Sequence, residues 1–150
     1  MPRPVRADAV SLGAGPGYYR FSHDSEVVLL RYEHDASPLF NQEGFWAGTF
    51  AAWSGENRAE AIGLSRGMRW PFGDRWHADA ELGLNWISDT TENLGTPVQI
   101  LLRAAVGRRL DSLNVSLGVL HYSNARWLVH WDGPNNGENF VVLGVGWRFE

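Results

Sequence analysis

The chain has 150 residues and no Cys, which bounds it to a single domain spanning 1–150, without a disulfide framework, a thiol nucleophile or a thiolate metal site. At 44% hydrophobic and 20% charged residues it is expected to fold rather than remain disordered. A net charge of −4 argues against a nucleic-acid partner, and no apolar run is long enough for a membrane-spanning helix.

The chain reads as alternating segments of roughly ten residues, each closed by a turn signal. Ala7–Ala14 is followed by Gly15–Gly17, and Phe21–His34 ends in a loop around Pro38. Gly44–Trp53 closes on a Ser-Gly-Glu-Asn turn, and Ala59–Pro71 on the tight turn Phe72–Arg75. Trp76–Ile87 leads into a polar loop through Thr96–Pro97. Val98–Leu110 and Leu113–Ser123 flank the short turn Asp111–Ser112. A long loop then runs to Gly137 before the last segment, Asn139–Phe149. Gly recurs inside the apolar runs, where it penalises helices. Short turns alternate with long loops, as in an up-and-down barrel whose two ends carry different loop classes. The expected fold is all-β, an eight-stranded antiparallel up-and-down transmembrane β-barrel, which leaves no exposed sheet edge.

Alternation alone does not say which face is out. The fifth run is the most informative. Trp76, Ala78, Ala80, Leu82, Leu84 and Trp86 share one parity; His77, Asp79, Glu81, Gly83 and Asn85 share the other. Arg69, Arg103 and Arg109 fall on the matching polar faces of neighbouring runs, which suits ion pairs buried inside a narrow barrel. On a strand tilted by about 40°, Trp76 and Trp86 would stand roughly 25 Å apart along the barrel axis, the height of an outer-membrane apolar band with its aromatic girdles. Trp70 and Trp147 end other apolar faces, and Val141, Leu143, Val145, Trp147 and Phe149 form the apolar face of the last run. Arg66 stands on the apolar face of the fourth run, against this pattern. The competing architecture is a soluble barrel with its apolar faces turned inward around a hydrophobic ligand. MPRPVRADAV lacks the apolar core of a signal peptide, so an outer-membrane location takes the chain to be the mature form with its signal peptide removed.

In the seventh run Val115, Leu117 and Val119 share a parity that continues into His121 and Ser123, while Asn114, Ser116 and Gly118 form the opposite face. A base and a hydroxyl thus sit one pleat apart on the apolar face. A polar strand end at a water interface accounts for them without any function. The functional reading makes Ser123 a nucleophile and His121 its general base. A third group should then orient the imidazole, and the Asn124 amide is a candidate oxyanion donor. No metal site is expected: His121 and His130 are separated by a loop, and no carboxylate cluster has a familiar ligand spacing.

His-Tyr-Ser-Asn-Ala at His121–Ala125, the Pro-Asn-Asn-Gly-Glu-Asn stretch Pro134–Asn139 and a closing strand ending Gly-Trp-Arg-Phe resemble the PagL-type lipid A 3-O-deacylase family. The resemblance implies an eight-stranded outer-membrane barrel that hydrolyses the ester-linked acyl chain at position 3 of lipid A in lipopolysaccharide, without a cofactor or a metal. It implies that His121 and Ser123 of the H-x-S-N motif are catalytic. The chain departs from the pattern where the family has its third catalytic member, an acid two residues after the loop Gly: that position here is Asn139. Parity places Asn139 with Val141 and Leu143, while Glu138 takes the other face unless a bulge at Gly137 turns it outward. Both Asn139 and Glu138 therefore remain candidates to orient His121. The connecting loop is longer than the family's, with Arg126 where Gly commonly follows, and Trp127, Leu128 and Trp131 are placed either on the bilayer surface or in the loop's own packing.

The leading expectation is an esterase of lipopolysaccharide in the bacterial outer membrane, with a homodimer allowed for. The alternatives are a non-enzymatic structural barrel that lost activity at the third position, and the soluble binding barrel.

Overall fold

The computed structural model describes residues 8–18, 22, 24–124 and 133–149. Eight strands run in chain order: β1 Asp8–Pro16, β2 Glu26–Leu39, β3 Gln42–Trp53, β4 Ala59–Phe72, β5 Trp76–Ile87, β6 Val98–Leu110, β7 Leu113–Ser123 and β8 Glu138–Phe149. Each pairs antiparallel with its sequence neighbour, and β1 pairs with β8 to close the barrel. These are the expected strands, with shifts at the ends. The ends of the first two runs, at Ala7 and Phe21, lie outside the described residues.

The short connections at 40–41, 73–75 and 111–112 share one end of the barrel, and the longer ones lie at the other. One expectation is corrected at the short-turn end. The segment around Pro38 is not a loop: β2 continues to Leu39, and its register with β3 shifts between Ala36 and Leu39. Pro has no N–H to give to a ladder, so it is tolerated where the ladder is already interrupted. The turn itself is Phe40–Asn41, with φ of 48° and 63°, the positive values that let a two-residue hairpin follow the twist of its strands.

The inside of the barrel is divided into two halves. Toward the long loops it is apolar: Val27, Leu29, Trp53, Leu101, Leu120, Tyr122 and Phe140 are buried in one cluster. Toward the short turns it is charged. Arg31 pairs with Glu33 at 2.7 Å and with Glu81 at 2.5 Å; Arg69 pairs with Glu33 and Asp79, both at 2.8 Å. Arg103 lies 3.7 Å from Asp79 and 3.5 Å from Glu81. Three guanidiniums thus face three carboxylates, which is how buried charge is tolerated. Arg69 and Arg103 are where parity places them. Arg109 keeps the inward parity too, nearer the rim, where it pairs with Glu43 3.3 Å away, and Arg31 and Glu33 join the network without having been singled out in the sequence.

The outward face is apolar around the wall, with Leu12, Val28, Ile62, Leu84, Leu117 and Leu143 among its exposed side chains. A surface with its charges inside and its aliphatic side chains outside is built for lipid rather than water. That inversion overturns the soluble barrel, whose apolar faces would point inward. Trp76 and Trp86 stand at opposite ends of the outward face of β5, with Trp70 and Trp147 level with the short-turn end. Arg66, the exception on this face, does not leave its charge in the apolar band. Its guanidinium donates to the carbonyls of Phe45 at 2.7 Å, Gly67 and Ser37, and lies 5.4 Å over the Trp46 ring. The long stem lies on the wall while the head reaches the short-turn rim.

Candidate active site

At the long-loop end of β7 the alternation carries His121 and Ser123 to the outward face, both half-buried, while Tyr122 and Asn124 turn inward and are buried. The apolar stripe of Val115, Leu117 and Val119 ends at these two polar side chains. β8 runs alongside in regular register, with His121 opposite Asn139 and Tyr122 opposite Glu138. No bulge intervenes at Gly137, so β8 begins with Glu138 inward and Asn139 outward.

That register brings His121 Nδ1 to 2.7 Å from Asn139 Oδ1. An amide oxygen only accepts, so this bond assigns the ring proton to Nδ1 and leaves the Nε2 lone pair free as a base. Ser123 is one pleat further along the same face; among the described residues no hydrogen bond joins it to His121. From within, the strand ends are held by Tyr122 and Phe140 packed on Trp53, with ring centroids 5.2 Å and 5.8 Å from the indole.

Gly137 closes the imidazole from above. Its φ is +77°, and a Cβ built there would lie 2.9 Å from His121 Cε1 and 3.2 Å from the Tyr122 carbonyl. Gly137→Ala is expected to strain the backbone by about 1–2 kcal/mol and to push the ring off Asn139. With His121 as the base expected from the sequence, kcat should fall by about tenfold to a hundredfold, the scale of a small displacement of a reacting group. Steady-state kinetics beside a thermal unfolding curve checks it; an unchanged kcat would mean that the ring does not need this cradle.

The remaining sequence candidates are placed differently. Asn124 has its side chain on the inward face, where Nδ2 donates to the Pro134 carbonyl at 3.1 Å, and its backbone N–H donates to Asn135 Oδ1 at 3.1 Å. Both nitrogens therefore hold the turn that leads into β8. Glu138 is fully buried and points away from the imidazole, toward Ser22 and Asn93. Those two residues lie in the β1–β2 and β5–β6 connections, and no spacing in the sequence singles them out. Arg126, Trp127, Leu128, His130 and Trp131 lie outside the described residues. Among the described residues no group of His, Cys, Asp and Glu is arranged to hold a metal ion.

A closed eight-stranded barrel with charge inside and lipid-facing aliphatics outside defines an outer-membrane β-barrel, here with a histidine–amide pair at the long-loop end of its outer wall. The family model described as "Lipid A 3-O-deacylase (PagL)" matches residues 17–148, and the chain belongs to that family. It is an outer-membrane esterase whose family removes an ester-linked acyl chain from the lipid A of lipopolysaccharide. Among solved structures, the chain is similar to the crystal structure of the outer membrane enzyme PagL, at 20% identity and a TM-score of 0.71, covering 92% of this chain and 97% of that one. It is also similar to a de novo designed transmembrane β-barrel, at 12% identity and a TM-score of 0.67, over 95% of both chains. The backbone structure of the Yersinia pestis outer membrane protein Ail in a phospholipid bilayer nanodisc matches at 12% identity and a TM-score of 0.55, over 95% of this chain and 99% of that one. No significant match is found among curated proteins.

Proposed function

We propose that this deacylase works through a Ser123 nucleophile, a His121 base and an Asn139 that orients the imidazole. The observation that carries the reading is the 2.7 Å bond between His121 and Asn139, made on the lipid-facing wall where the apolar stripe of β7 ends. Long loops mark the outer side of such barrels, so this rim stands in the leaflet that holds lipid A. The esters of lipid A lie between its sugars and its acyl chains. A chain lying against Val119, Leu117 and their neighbours would present its ester at the level of Ser123.

In this mechanism Ser123 Oγ attacks the acyl carbonyl as its proton passes to His121 Nε2. The tetrahedral intermediate collapses with cleavage of the bond to the sugar oxygen, which takes the proton back from His121. A water molecule, deprotonated by the same nitrogen, then attacks the acyl-serine; the acyl C–Oγ bond breaks, Ser123 Oγ takes the proton back from His121 and the fatty acid leaves. Asn139 keeps the proton on Nδ1 throughout. It has no charge with which to stabilise the imidazolium, in contrast to the carboxylate of a Ser-His-Asp triad.

Mass spectrometry of lipid A incubated with the protein in detergent tests the reading. The expected product lacks one ester-linked hydroxyacyl chain, and Ser123→Ala protein should leave the substrate intact. The third position has its own expectation. Asn139→Ala should slow turnover by about tenfold to a hundredfold, whereas Asn139→Glu, which returns a charge to the imidazole, should equal or exceed the wild-type rate. A Glu variant slower than the Ala variant would overturn the role given to residue 139.

A further inference from the structure

Glu138 is a carboxylate one residue from the site, fully buried and turned away from it. Its two oxygens accept from two separate loops. Ser22 Oγ, in the β1–β2 connection, donates to Oε2 at 2.5 Å, and Asn93 Nδ2, in the β5–β6 connection, donates to Oε1 at 2.7 Å. Ser22 is fully buried as well, and Asn93 nearly so. The Ser22 hydroxyl has a second partner: it accepts the backbone N–H of Asn139 at 3.1 Å. The carbonyl of Asn139 in turn accepts from Tyr18 N–H at 2.9 Å. The Asn93 carbonyl takes the N–H groups of Asn136 at 2.9 Å and Gly137 at 3.2 Å, the turn that delivers the chain into β8.

From this geometry we infer that Glu138 is a positioning residue for the deacylase, acting through Ser22 on the peptide of Asn139 and so on His121. With both carboxylate oxygens accepting, Glu138 takes the Ser22 proton and leaves the hydroxyl lone pairs to the Asn139 N–H. This acceptor thus fixes the direction of the hydroxyl, and the bonds in such a chain reinforce one another. A Gln in its place presents an NH2 to one of two donors, and the arrangement no longer closes. The inference rests on the His121–Asn139 pairing proposed above.

A double-mutant cycle tests it, with kcat and KM measured on lipid A in detergent for Ser22→Ala, Asn139→Ala and the pair, and for Glu138→Gln as a second route to the same chain. Ser22→Ala and Glu138→Gln should each lower kcat by about tenfold, with KM held within about twofold. Ser22→Thr, which keeps the hydroxyl, should restore most of the rate. In the Asn139→Ala background the Ser22→Ala cost should shrink to about twofold or less, because the side chain being positioned is gone. The histidine limb of the kcat/KM profile against pH should move in Ser22→Ala, which mere loosening of a loop would not do. A full tenfold cost that persists on Asn139→Ala overturns the inference, as does a Glu138→Gln loss larger than that of Asn139→Ala, which would put Glu138 on the imidazole itself. The underlying pairing fails separately: Asn139→Ala at the wild-type rate would remove it, whereas a slow Asn139→Ala beside an unaffected Ser22→Ala would remove the positioning role alone.

Discussion

Ser123→Ala and His121→Ala should each lower kcat/KM for lipid A deacylation by about a thousandfold or more, and the double variant should be no slower than the worse single one. In the proposed mechanism nucleophile and base act as a unit, so removing either forfeits the same step. Both side chains lie on the outward wall, half-buried, and neither belongs to the interior cluster. Their loss should therefore leave the barrel as stable to heat as the wild type. Kinetics on purified lipid A beside thermal unfolding in the same detergent decides the matter. A Ser123→Ala protein retaining even about a tenth of the wild-type rate would be incompatible with covalent catalysis at this residue, where losses are several orders of magnitude.

The second large effect belongs to stability. Glu81→Ala should destabilise the barrel by about 3–5 kcal/mol, the scale for removing one partner of a buried ion pair. Glu81 is completely buried, holds Arg31 Nη2 at 2.5 Å, lies 3.5 Å from Arg103 and accepts from the Ser65 hydroxyl. Without it three guanidiniums share two carboxylates, and all three lie inside a wall surrounded by lipid. Glu81→Gln should cost less, since it keeps an acceptor while losing the charge. The measurement is the unfolding midpoint in detergent or bilayer. Turnover below that midpoint should stay near wild type, because the apolar cluster of Leu29, Leu101, Leu120 and Phe140 separates the network from the site. A Glu81→Ala barrel with an unshifted midpoint would mean that water replaces the carboxylate at little cost.

The strand number, most strand limits and the two faces of each strand were legible without coordinates, because they depend on a period of two and on turn residues, both local properties of the chain. The same period placed His121, Ser123 and Asn139 on one kind of face. It failed at Pro38, where a residue that breaks a regular ladder is tolerated by a register shift.

Partnership is a different kind of information. Parity left Asn139 and Glu138 both in contention, since a single bulge inverts every face beyond it. The unbroken register of β7 with β8 is what set His121 against Asn139 and turned Glu138 inward. Closure of β1 on β8 brought Ser22 to a carboxylate 116 residues away, and the β5–β6 loop brought Asn93 to the same group. Likewise Arg31 met Glu81 across the barrel lumen, and the donors of Asn124 went to the 133–137 turn rather than toward Ser123. The sequence by itself determined which side of the wall each side chain occupies, because each pleat alternates whatever lies beside it. The tertiary structure alone decided what each one touches, because register, closure and loop packing join residues that carry no mark of one another in the chain.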